Sequence, residues 1–317
     1  MILYISKKVI NLEYMNVRKA AELWGISDRR VRVLCSEGKI PGTIKEGRAY
    51  RIPINALKPV DERTLRGKNI PSQYEDLFKR IDAKKAELEK RRPLTKGELE
   101  RLREEFLIEF TYNSNAIEGS TLTLRETAMV LEGVTIDKKP LKEHLEAVGH
   151  KDAFEYVGEL VSKKVALSEK IIKDIHSLVL MDRPQDRGIY RRLPVRILGA
   201  KIDPPQPYLV GLKMEELMDK YNSIDNKLHT IEKVARFHLD FEKVHPFIDG
   251  NGRTGRLILN LEIMKNGYPP ISIKFNDRKK YYECFHEYLE ALDASKMILM
   301  VAEYIEEELD RYLSILE

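Results

Sequence analysis

Apolar residues along this chain recur mostly three and four positions apart, the mark of helices buried on one side. Two short patterns open it. Val17, Ala20, Ala21 and Leu23 of a first short helix are available for a core, and Gly25 can adopt the positive φ that ends that helix. Ser27 is placed to cap a second helix, with Val31 and Leu34 on its buried side and Trp24 beside it in a small core. After the turn at Gly38–Gly42, the stretch 43–52 around Glu46-Gly47 predicts a β-hairpin. Residues 59–74 are polar and charged, as in a linker. From 75 to 110 Leu recurs among Glu, Lys and Arg. Pro93 breaks this helix and Thr95 with Glu98 restarts it through a capping box. Helices follow at 99–117, 123–132, 140–162, 168–180, 210–222, 229–246, from 251, and at 277–291 and 294–315. Beyond the head, Val195–Gly199 with Pro204-Pro205 reads as a short strand or hairpin. The prediction is a mainly α chain with a head at 1–60, a helical linker region at 61–110 and a main domain at 111–317.

Composition supports this and narrows it. Hydrophobic residues make up 43% of 317, enough for a sizeable core. No apolar run is long enough to span a bilayer, and the N-terminus is a poor signal peptide, so a cytoplasmic protein with no membrane partner is expected. Cys35 and Cys284 lie far apart and read as two reduced thiols rather than a disulfide or zinc site. The net charge of +4 is uneven: residues 1–60 hold twelve Lys and Arg against five Asp and Glu, a balance of +7, which leaves −3 for the rest. A basic head on a slightly acidic body predicts a separate binding role for the head. The pattern over roughly 15–58 resembles the winged helix-turn-helix heads of the excisionase and MerR-like group. That likeness implies DNA as a partner, with Arg29, Arg30 and Arg32 toward the major groove and Lys45, Arg48 and Arg51 on the wing. A protein-docking module with a solvated basic face is the alternative for the head.

The densest chemistry lies in His245-Pro-Phe247-Ile-Asp249-Gly250-Asn251-Gly252-Arg253-Thr254-Gly255-Arg256. Gly250 and Gly252 allow close approach by a ligand, and Leu257, Ile258 and Leu261 show that the loop opens a helix. The positive N-terminal end of a helix favours anions. Arg253 and Arg256, three apart, share a face and suit phosphate oxygens. Asp249 is a hard oxygen ligand suited to Mg²⁺, and His245 is a candidate base. Phe247 and Ile248 are expected to anchor the loop. Taken singly, a His is more often structural and two Arg on a helix are more often solvated. His144, His150 and His176, without metal-ligand spacing, are read that way, and the acidic run Glu306–Asp310 is read as a solvated face.

As a set, the twelve residues resemble the Fic (Fido) family pattern His-x-Phe-x-Asp/Glu-Gly-Asn-Gly-Arg-x-x-Arg, filled at every fixed position. The likeness runs from about 105 to about 290 and includes Gly188-Ile-Tyr190-Arg191, Tyr268-Pro-Pro and Arg278-x-x-Tyr281-Tyr282. It implies a helical bundle with a small β-hairpin flap and a protein adenylyltransferase that moves AMP from ATP to a Tyr, Thr or Ser hydroxyl of a target protein. His245 would be the base, and Asp249 would hold Mg²⁺. Gly250, Asn251 and Gly252 would cradle the α-phosphate. Arg253 and Arg256 would grip the β- and γ-phosphates, with Thr254 and Gly255 completing the nucleotide segment. Arg196, Ile197, Leu198 and Gly199 would form the flap that holds the target peptide by strand addition. Tyr281 and Tyr282 would bound the adenine. Gly252, where Doc-type kinases carry Lys, favours nucleotidyl over phosphoryl transfer; phosphocholine transfer stays open. A homodimer is compatible with this reading.

A second motif lies upstream in Ser114-Asn-Ala-Ile-Glu118-Gly119. Ser114 and Glu118 are four apart on one helix face. The same resemblance implies that this helix, at about 105–119, is inhibitory: Glu118 would pair with Arg256 and put negative charge where the γ-phosphate belongs. Glu118 could also orient water for removal of AMP. The competing function is a DNA-binding regulator whose main domain only senses nucleotide or is inactive.

Overall fold

The computed structural model describes residues 14–36, 38–40, 42–47, 49–54, 56, 58, 72–91, 93–196, 203–223 and 228–316. The chain divides into two compact units, residues 1–69 and 70–317.

In the first unit, β1 (Tyr14–Asn16), α1 (Val17–Trp24), α2 (Asp28–Ser36), β2 (Ile44–Glu46) and β3 (Ala49–Pro53) follow in order. The strands form an antiparallel sheet ordered β1-β3-β2, with Met15 opposite Ile52 and Lys45 opposite Tyr50. Asn16 caps α1 by accepting from the Lys19 amide, and Gly25 ends it in the left-handed region. The Arg30 amide donates to Ser27 Oγ at 3.3 Å, the cap expected for α2. Met15, Ala20, Trp24, Val31, Leu34 and Ile52 pack into one core. Strand β1 has no signature in the sequence, because three residues are too few to show alternation.

The second unit is helical: α3 (Ser72–Lys90), α4 (Lys96–Ile117), α5 (Leu124–Leu131), α6 (Leu141–Ser162), α7 (Glu169–Val179), α8 (Val210–Ser223), α9 (Thr230–Val244), α10 (Asn251–Lys265), α11 (Arg278–Ala291) and α12 (Ser295–Ile315). The capping box at Thr95 and Glu98 forms as expected, and Thr123 with Glu126 makes a second one at α5. Helix α10 is buried on nearly every side and carries two cores. Leu257, Ile258 and Leu261 pack with α4, α6, α7 and α8, whereas Leu259 and Ile263 pack with α3, α11 and α12.

Four expectations change. Leu23, expected to be available for the core of the head, is exposed, and Trp24 fills that core. Residues 72–110 are no linker, since Leu77, Phe78 and Ile81 of α3 are buried in the core with Leu259 and Ile263, and Phe106 and Phe110 of α4 in the other. The acidic run on α12 is not simply solvated either. Glu306 and Asp310 bind Lys84 at 3.0 and 2.7 Å, Glu306 also binds Arg80 at 3.2 Å, and Glu308 is buried. The flap lies mostly outside the described residues: Ile197, Leu198 and Gly199 are not among them, Arg196 is exposed, and Val195, Arg196, Pro204 and Pro205 carry no strand. Among the described residues no helix is long and apolar enough to cross a membrane.

Candidate functional site

Helix α9 ends at Val244, and His245 follows in the left-handed region at φ 49°, ψ 61°. A histidine held there carries strain that its surroundings must fix. Buried Arg191 does so. Its Nε donates to the His245 carbonyl at 2.7 Å, its Nη2 to the Pro205 carbonyl at 2.6 Å, and its amide to the Pro246 carbonyl at 2.9 Å. Phe247 is fully buried and stacks on His176, ring centroids 3.6 Å apart and 4° from parallel. His176 Nε2 donates to the Asp249 carbonyl at 3.0 Å, and its Nδ1 accepts from the Gly188 amide at 3.0 Å. Burial pushes His176 down to about 4, so it is neutral at pH 7 and able to play both parts. This histidine was expected to be structural, and its structural task is to hold the motif loop.

The loop then turns into α10 through Gly250 at φ 75°. As at any helix N-terminus, the first-turn amides lack intrahelical acceptors and the end carries positive partial charge. The Asp249 carboxylate accepts from the Gly250 amide and sits 3.2 Å from Arg183, 3.5 Å from Arg253 and 4.0 Å from Lys142. Burial works to raise this carboxyl, but Arg253, the Gly250 amide, Arg183 and Lys142 outweigh it and hold it below the usual carboxylate value. Among the described residues no three acidic, His or Cys groups converge as a metal cage. A single carboxylate fits a Mg²⁺ ion only where substrate phosphates would complete its shell.

Both arginines are buried and already paired. Arg256 donates through Nε to Ser114 Oγ at 3.0 Å, and through Nη2 to the Ser114 carbonyl and to Glu118 Oε1, both at 2.8 Å. Burial works against the Arg256 charge, and Glu118 and Tyr281 outweigh it, so the cation is held. Arg253 Nη1 lies 3.0 Å from Glu146 Oε1 on α6. Gly252 is where the upstream helix intrudes: a Cβ added there would lie 2.1 Å from Glu118 Oε1. Ser114, Glu118, Asp249, Gly250, Gly252, Arg253 and Arg256 therefore meet in one place, beside His245 at the other end of the loop.

Four residues sit otherwise than expected. Both polar atoms of the Asn251 side chain are engaged by the Phe247 backbone at 2.9 Å, so it clasps the loop instead of facing a ligand. Thr254 is fully buried, and Gly255 faces His238 and Glu242, so neither points to the phosphate side. Tyr281 is buried, its hydroxyl 2.7 Å from His238 Nε2 and 3.5 Å from Arg256 Nη1; it supports the arginine and offers no face to adenine. Tyr282 remains half-exposed and donates to the Ile117 carbonyl at 2.9 Å, at the end of the helix that carries Glu118. Arg183, Lys142 and Glu146 had no sequence signal, because charged residues on predicted helices or turns look the same whether solvated or turned inward.

A model of the Fic/DOC family matches residues 166–263. Protein adenylyltransferase Fic of Drosophila willistoni is 35% identical over 237 residues, 74% of this chain and 47% of that protein, so the chain spans about half the length of the curated relatives it matches. A Fic domain containing signaling protein from Bacteroides thetaiotaomicron superposes with a TM-score of 0.66 at 30% identity, covering 76% of this chain and 95% of that one. Fic-1 from C. elegans superposes with a TM-score of 0.68 at 29% identity, covering 76% and 72%. With the loop, the buried arginines and the upstream glutamate in this arrangement, the chain belongs to the Fic/DOC family.

Proposed function

We propose that the chain transfers AMP from ATP to a Tyr, Thr or Ser hydroxyl of a target protein, releasing pyrophosphate, and that Glu118 holds this activity off. The observation that carries the reading is the Glu118–Arg256 pair at 2.8 Å, formed inside the motif that would grip phosphates. The activity of the similar protein from Drosophila willistoni supports it. Roles follow from position. His245, at the mouth of the loop, would take the hydroxyl proton. The amides at Gly250–Gly252 would bear the charge growing on the α-phosphate. Arg253 and Arg256 would hold the leaving pyrophosphate once their glutamates release them. Asp249 would hold Mg²⁺, which would neutralise phosphate charge when bound. Tyr282 is the wall left for the adenine, and the segment 196–199 would clamp the target peptide.

The first unit is proposed as a DNA-binding winged helix-turn-helix. The +7 balance of residues 1–60 and the exposure of Arg29 and Arg32, three apart on α2, support this. Arg30 is only half-exposed, and Arg48 lies outside the described residues. Mass spectrometry of Glu118→Gly protein incubated with ATP and cell lysate tests the main reading. A mass increase of one AMP on a Tyr, Thr or Ser is expected; loss of pyrophosphate without any such mark would contradict it.

A further inference from the structure

Glu242 is a buried carboxylate that the roles above leave unused. It sits one turn before His245 on α9, with a side chain 12% exposed, and its Oε2 is 3.5 Å from His245 Nδ1. That imidazole nitrogen is itself buried, and neither it nor Glu242 Oε1 has a hydrogen-bond partner among the described residues. The space that holds the carboxylate is supplied by Gly255 on α10: a Cβ there would come within 2.9 Å of Glu242 Oε1 and 2.9 Å of His238 Cε1. Burying a carboxylate whose Oε1 has no hydrogen-bond partner is costly, which points to a role beyond packing. The charged and titratable groups around it are His238 on its own helix, His245 just past the end of that helix and Arg256 on α10, with Tyr281 of α11 on His238. Burial pushes His238 down to about 4, leaving it neutral. Burial works to raise the Glu242 carboxyl, but His245, His238 and Arg256 outweigh it, and it stays ionised.

We propose that Glu242 is the positioning residue of His245. Its Oε2 accepts the Nδ1–H bond of the imidazole and so selects the tautomer whose Nε2 lone pair is open. Hydrogen bonds of catalytic groups are often long before substrate arrives and tighten in the complex, as the 3.5 Å separation here requires. The proposal rests on the nucleotidyl-transfer reading. In that step the target O–H bond breaks and its proton forms an N–H bond at Nε2. The freed oxygen forms a bond to the α-phosphorus, and the bond from the α-phosphorus to the bridging oxygen breaks, its electron pair leaving with pyrophosphate. The Glu242 carboxylate then faces an imidazolium and stabilises it, as an orienting carboxylate does in an Asp-His pair.

The test uses the full chain with ¹⁵N-labelled histidine, in the wild-type and Glu118→Gly backgrounds, with and without Glu242→Gln. The His245 signals are assigned by their loss in His245→Ala. Imidazole ¹⁵N spectra are expected to show a single Nδ1–H tautomer at His245 when Glu242 is present and a mixture of tautomers in the Glu242→Gln variant. Labelling from α-³²P-ATP in the Glu118→Gly background is expected to lose about a hundredfold in kcat on Glu242→Gln, with little change in the KM for ATP. Unchanged ¹⁵N spectra would overturn the proposal, as would a loss confined to melting temperature with kcat intact. If the Glu118→Gly parent labels nothing, the transfer reading fails, while the ¹⁵N spectra still decide the role of Glu242.

Discussion

Arg256 is 2% exposed and fully charged, and three of its contacts come from residues 114 and 118, far upstream in sequence. Removing Glu118 leaves it the two contacts to Ser114 and the one to Tyr281, so Glu118→Gly is expected to free a phosphate ligand without orphaning a buried cation. Arg191 plays the matching part for the base, holding the left-handed turn at His245 by its carbonyls. A lysine cannot span those acceptors as a planar fork does. Arg191→Lys is expected to cost about 1–3 kcal/mol, read by urea denaturation, and to slow labelling in the Glu118→Gly background; full activity would show that the turn holds itself. At this scale, the sequence offered the contiguous run from His245 to Arg256 and the Ser114–Glu118 spacing upstream. Glu146 and Arg183 reach Arg253 and Asp249 only through folding. Asn251, Thr254 and Tyr281 were assigned to ligand because a motif names residues without saying which way they face.

The helix α4 is unusual in its last two turns, where Thr111, Asn113, Ser114 and Asn115 are all buried. Polar burial of this kind needs partners. Asn113 Nδ2 donates to Ser272 Oγ at 3.1 Å and its Oδ1 accepts from the Phe275 amide at 2.9 Å, while Glu109 pairs with Lys274. These contacts pin the glutamate-bearing helix to the segment before α11. Asn113→Ala strands a hydroxyl and an amide, at an expected cost of about 1–3 kcal/mol. Backbone amides at 111–119 are expected to exchange faster with deuterated solvent, and unchanged protection there would mean that the helix is held from elsewhere. The start of this helix was legible, since Thr95 and Glu98 form their box locally. Its polar clamp was not, because Ser272 and Phe275 lie about 160 positions away. Strand β1 was missed for the same reason: only pairing with β3 defines it.

At the scale of the whole molecule, the helical class, most helix bounds and the separate basic head were legible from periodicity and charge. The membership of α3 in the second unit was not, since its apolar stripe looks like that of any amphipathic helix. Buried His176 and His238 make the folded chain sensitive to acid. In the folded state both are pushed from 6.5 down to about 4. As pH falls through that window the unfolded chain binds protons that the folded one refuses, so stability drops, by up to about 1.4 kcal/mol per pH unit for each histidine. A lower urea midpoint at pH 5 than at pH 7 is expected, and equal midpoints would contradict the buried-neutral assignment. For the head, retardation of DNA by the full chain is expected to weaken steeply with salt. Arg29→Gln with Arg32→Gln should lower that slope by about one unit per lost phosphate contact, and no retardation at low salt would exclude DNA. The central claim is a nucleotidyl site held idle by Glu118. Its most direct test is transfer of ³²P from α-labelled ATP to protein, with wild type, Glu118→Gly and Glu118→Gly/His245→Ala compared side by side. The account predicts roughly tenfold or more label in Glu118→Gly than in wild type, none in the double variant, and none from γ-labelled ATP. Equal labelling of wild type and Glu118→Gly, or transfer of the γ-label, would contradict it.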